Sequence, residues 1–150
     1  PSRGRGFSRA QPTDAARPWA AYSRGMARPR IDDAEGRAAV AAIAAARGDA
    51  DARLESETLA LAARYTLQLL AEAAPGRSVE VRVPPFGAVQ IVEGVRHTRG
   101  TPPNVVELDA HTLLEIATGG TSWSQASEAG RVRASGSRSD LSALFPLDLP

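Results

Sequence analysis

Side chains able to hold a metal, shuttle a proton or form a covalent bond are few in this sequence, and their spacing is unhelpful. There are two histidines, His97 and His111, and no cysteine. Without cysteine, disulfides, zinc–thiolate sites, iron–sulfur clusters, c-type haem and a thiol nucleophile are excluded. All 18 basic side chains are arginine and none is lysine. A Walker A phosphate loop, a pyridoxal Schiff base and a lysine base are therefore excluded as well. The two histidines do not make an HExxH pattern, and a metal site would need carboxylates to complete it. His111 falls in the first turn of an expected helix and reads as a solvated surface residue. His97 lies in the polar run Arg96-His97-Thr98-Arg99-Gly100. Two arginines beside an imidazole could hold an anion, but short polar runs are also how sheets blunt their edges, and we favour that reading.

Serine is plentiful, yet no G-x-S-x-G elbow occurs. The carboxylate pairs Asp49/Asp51 and Glu55/Glu57 sit at expected helix starts, where they complement the helix dipole. Gly119-Gly120-Thr121 joins helix to helix with no strand before it, so it is not a phosphate loop. No catalytic residue, no metal and no cofactor is expected, and the chain is not expected to be an enzyme.

Positioning falls to a set of short elements. Asp32 and Glu35 have capping-box spacing before an Ala-rich helix that runs to Arg47. Its apolar piece is too short to span a membrane, and no secretory segment is recognisable. A cytoplasmic protein is expected, with no stable membrane insertion. A second helix is expected from Leu54 to Ala73, with Leu59, Ala63, Thr66, Leu67, Leu70 and Ala74 on one face. The period then switches to two. Val79, Val81 and Val83 alternate with Glu80 and Arg82, Pro84-Pro85 stops the run, and residues 88–92 make a second strand of a hairpin. Residues 95–100 read as a polar edge strand and 104–108 as another strand. Asp109 caps a helix through Ala117, and Thr121 or Ser122 caps a short helix to Ala129. Residues 131–135 form a last strand, and Asp140 caps an apolar turn from Leu141 to Phe145. Helices, strands, helices, strand and helix in that order are segregated α+β rather than alternating βαβ.

The chain's 150 residues suit one domain. Its net charge of +1 is unevenly spread. Residues 1–30 hold seven arginines and Asp14 in a Gly-, Pro- and Ser-rich setting, a net of +6, which leaves −5 for residues 31–150. Residues 1–30 are expected to be a disordered tail and 31–150 the folded domain. Met26, the sole methionine, stands just before the first helix. Two readings of the tail stay open: a real flexible arm, or a stretch lying upstream of a true start at Met26. Because the folded part is acidic and lacks a stacking platform, specific nucleic-acid binding is not expected.

The stretch Leu108–Gly136, LDAHTLLEIATGGTSWSQASEAGRVRASG, resembles the sterol carrier protein family in its small bacterial single-domain branch. Asp109, Leu113, Leu114, Thr118, Gly119, Ala126, Gly130, Arg131, Val132, Arg133 and Gly136 carry the likeness without a gap. Pro84-Pro85-Phe86-Gly87 and Arg99-Gly100-Thr101-Pro102-Pro103-Asn104 extend it upstream, over roughly residues 54–147. The chain departs from the pattern after Ala126, where Ser127 and Glu128 stand in place of the aromatic residues of many members. The resemblance implies a five-stranded, mostly antiparallel sheet with helices covering one face, residues 95–100 being its short third strand. It also implies a non-catalytic cavity for a fatty acid, an acyl-CoA or a sterol-like lipid. The candidate lining is Leu59, Leu67, Leu70, Val81, Val83, Val89, Ile91, Leu141, Leu144 and Phe145. An accessory protein-interaction domain with a vestigial cavity, working beside an enzyme, is the alternative.

Overall fold

Asp32 starts the first helix by turning its carboxylate onto the amides of Ala34 and Glu35, at 2.9 and 3.2 Å. That satisfies two of the donors a helix start leaves unpaired. The computed structural model describes residues 28–47, 56–95 and 103–149. The expected tail, residues 1–30, lies outside these residues as far as position 27, as does the Arg96–Gly100 run with His97. The elements in chain order are α1 (Asp33–Ala45), α2 (Ser56–Ala73), β1 (Pro75–Val83), β2 (Gly87–Ile91), β3 (Val105–Leu108), α3 (Ala110–Ala117), α4 (Trp123–Glu128) and β4 (Val132–Ser135). A 3-10 turn, Ser142–Leu144, follows. Asp109 caps α3, and Ser122 rather than Thr121 caps α4, in a reciprocal box with Gln125.

The sheet is mixed and has four strands among the described residues, in the order β2-β1-β3-β4. Five were expected. The missing one, 95–100, falls outside the described residues apart from Val95, which is in a bend. β1–β2 and β3–β4 are antiparallel, but β1 and β3 run parallel, Val81 opposite Val106. β1 also begins earlier than its alternation suggests. Its register with β2 shifts between Pro75 and Val79. Hydrogen bonds from Val92 N to Ala74 O and from Ser78 N to Val92 O carry the pairing through that irregular stretch.

Strand alternation decides which face is covered. Val79, Val81, Val83, Ile91, Val106, Leu108 and Val132 join Ala63, Leu67 and Leu70 of α2 and Leu113 and Ile116 of α3 in an inner core. Glu80, Arg82, Glu107 and Arg133 fall on the opposite face, where the Glu80–Arg82 and Glu107–Arg133 ion pairs form. α2 is buried on a second side too. Ala62, Tyr65 and Leu69 meet Ala39, Val40 and Ile43 of α1 in an outer core that Leu114 of α3 completes. The result is a layer of α2 and α3 between the sheet and α1. Among the described residues no helix is long and apolar enough to cross a membrane.

Candidate ligand site

α2 brings the expected lining to the sheet because residues three and four apart share a helix face. Leu67 and Leu70 are buried against Val81, Val83 and Ile91, and Leu141 is buried with them. Leu59, Val89, Leu144 and Phe145 lie half-buried on the same cluster. The structure therefore brings all the candidate residues to one place. It also packs them together. One surface concavity, of about 260 Å³, is lined by Val105, Glu107, Arg133, Ala134 and Ser135 on the sheet's other face. Another, of about 70 Å³, lies between α1 and α3 beside Ile43, Arg47, His111 and Glu115. None of the candidate residues lines either.

Within the inner cluster the side chains are apolar, and the polar groups near it are already engaged. The Thr66 hydroxyl donates to Ala62 O at 2.9 Å, as helix-interior threonines commonly do. Asn104, 5 % exposed, donates to Ser78 O at 2.8 Å and accepts from Arg138 N at 2.9 Å. No buried side-chain nitrogen or oxygen among the described residues lacks a partner. Such an interior offers dispersion and the exclusion of water.

The site's rim holds a charged corner. Arg131 pairs with Glu115 at 2.7 Å and donates from Nε to Thr112 Oγ1 at 3.1 Å. Thr112 in turn donates its hydroxyl to Asp109 Oδ2 at 2.6 Å and its amide to Oδ1 at 2.9 Å. Burial works against the charge on Asp109, but the two Thr112 bonds and the nearby Arg131 outweigh it and hold the carboxyl below the usual range. Two of the residues that carry the resemblance, Asp109 and Arg131, are thus a brace joining the start of α3 to the approach to β4. His111 beside them is exposed.

Trp123 is not among the expected lining residues, yet it belongs to the same cluster. It is 8 % exposed and its ring stacks on Phe145, with centroids 5.8 Å apart and planes 14° from parallel. The available signal was its place in the first turn of a capped helix, three residues before Ala126, so that both share the buried face. Ser127 is half-buried and Glu128 exposed.

A family model described as bacterial SCP ortholog matches residues 55–147. No curated protein matches the chain.

Proposed function

The chain belongs to the sterol carrier protein family, among its bacterial orthologs, and from that premise we propose that it binds an apolar ligand between sheet and helices without reacting with it. The ligand is a fatty acid, an acyl-CoA or a sterol-like lipid. The observation that carries this reading is the inner cluster itself, where α2, the strands and the last turn converge on purely apolar contacts. A lipid-binding role is what the family suggests, and the paired polar groups around the cluster suit a carrier better than a catalyst.

Magnitudes predict weak binding. Each buried methylene contributes roughly 0.8 kcal/mol, so about twelve give on the order of 10 kcal/mol gross. Association and ordering cost ~4–15 kcal/mol. Side chains must also part to admit the ligand, so a Kd in the micromolar range or weaker is expected.

The test is displacement of a fluorescent fatty acid by unlabelled fatty acids, sterols and acyl-CoA, at protein concentrations up to ~100 micromolar. Saturable displacement that weakens in Leu67→Asp or Leu70→Asp, with the fold intact by circular dichroism, supports the carrier. Absence of saturable binding by all three classes rejects it and leaves the accessory interaction domain.

A further inference from the structure

α1 and α3 do not close on each other completely. The concavity of about 70 Å³ between them has a lining of two kinds. Ile43 and Leu114, buried members of the outer core, give it an apolar floor with Ala46. Arg47, His111 and Glu115 give it a charged rim. The Glu115 carboxylate is already engaged by Arg131 at 2.7 Å. Arg47 and His111, both exposed, make no side-chain hydrogen bond or ion pair among the described residues. Yet the guanidinium of Arg47 has a definite place. It reaches across to the turn after α3, where a Cβ added at Gly120 would overlap its Nη1 and stand 2.9 Å from its Cζ. A cation at the end of α1 complements that helix's dipole, which explains the charge at position 47 but not its reach to α3. α1 and Arg47 also precede the residues that the family model matches.

We propose that this concavity binds a short-chain carboxylate: the carboxylate lies between the Arg47 guanidinium and the His111 imidazole, and the alkyl group covers Ile43 and Leu114. A guanidinium offers paired N–H donors in the geometry a carboxylate accepts, and an imidazole N–H adds one more. With Glu115 neutralised by Arg131, the rim meets an anion with uncompensated positive charge. The volume sets the other limit, since about 70 Å³ admits a few carbon atoms and excludes a long acyl chain. The site opens on the outer core, across the α2–α3 layer from the inner cluster. It therefore stands apart from the lipid-binding reading, and neither needs the other. Exposed charge contacts contribute modestly, so binding falls in the millimolar range.

The experiment titrates sodium butanoate into the isotope-labelled full chain at constant ionic strength and follows the amide signals by NMR. Saturable shifts centred on residues 43–47 and 111–121, in the millimolar range, are the expected result. Butylammonium chloride has the same alkyl group and the opposite charge, and neither it nor sodium chloride should give a saturable shift there. Arg47→Gln and His111→Gln, both at exposed positions, should each weaken binding about fivefold. Gly120→Ala should do the same with a cooperative melt retained, because its methyl group displaces the guanidinium without touching the lining. Shifts that never saturate, or that butylammonium or chloride reproduces, overturn the inference. Unchanged affinity in any of the three variants overturns it as well. Saturable shifts confined to the residues of the inner cluster overturn it and leave the lipid-binding reading standing.

Discussion

A methyl group at position 36 should cost this protein stability, against the usual rule for helices. Replacing a helical glycine by alanine normally gains ~0.8–1.0 kcal/mol. Here the added Cβ would overlap Cδ2 of Tyr65, a side chain with no exposed surface. Overpacking costs about 1–3 kcal/mol, so Gly36→Ala is expected to lower stability by ~1 kcal/mol net, read from the urea midpoint at constant slope. Asn104 makes a second residue-scale case. Asn104→Ala leaves both Ser78 O and Arg138 N without their partner, at a cost of about 2 kcal/mol in the same measurement. Gly136 belongs to that corner. It has φ +96°, and a Cβ there would overlap Pro103 O and Asn104 Oδ1. Asn104 and Gly136 were legible only as parts of a motif. Their reason, a close approach between the starts of β3 and the turn after β4, joins distant positions that no local pattern connects.

Single helices were the most legible elements, because a cap is a local signal. Asp32, Asp109 and Ser122 start helices where their spacing predicts. The alternation of Val79, Val81 and Val83 likewise announced β1, though not its start at Pro75, since the irregular stretch there is held by contacts with Val92. The parallel pairing of β1 and β3 was not legible: period two says that a strand has a face, not which neighbour it takes. Nor was the second buried side of α2, which exists because α1 packs there. That packing has a polar rim. Tyr65 donates to Asp33 at 3.1 Å, Arg30 bridges Asp33 and Glu72, and Gln68 exchanges two hydrogen bonds with the backbone of Ile31. Burial, followed by the bond to Asp33, raises the Tyr65 phenol above its ordinary value of 10.0. In a Tyr22→Phe chain, Tyr65 should titrate above that value by ultraviolet absorbance. The associated stability is present below pH ~10 and is lost as pH rises through the folded value. Tyr65→Phe should cost about 1 kcal/mol and abolish that alkaline loss.

Across the whole molecule, acid should act through a few carboxylates. The Arg30 hydrogen bond holds Asp33 below the usual range, and a backbone bond from Ser142 does the same for Asp140. Asp109 joins them. A depressed folded value means the unfolded chain takes up protons first as pH falls. Stability from these groups is fully present above pH ~4 and declines below it, through their folded values. Urea midpoints should therefore fall between about pH 4 and 2, and Asp109→Asn, which keeps the shape and removes the titration, should flatten part of that fall. The chain's charge asymmetry makes a separate prediction. A chain beginning at Met26 retains Arg30 with its partners Asp33 and Glu72, and its melting temperature should match that of the full chain. A loss of several kcal/mol would mean that Trp19 or Tyr22 is docked in the core.

The parallel pairing of β1 with β3 also has a kinetic consequence. β1 and β2 join through a tight turn, and β3 meets β4 by way of α3 and α4, so each half can assemble from neighbouring sequence. Among the described residues, the β1–β3 seam alone welds the halves into one sheet. Forming it closes a long loop before any contact rewards the closure, and folding rates fall as such non-local contacts accumulate. The seam is therefore the expected bottleneck of folding. Val81→Ala and Val106→Ala should slow refolding in stopped-flow measurements, whereas Val132→Ala, on the far edge, should mainly speed unfolding.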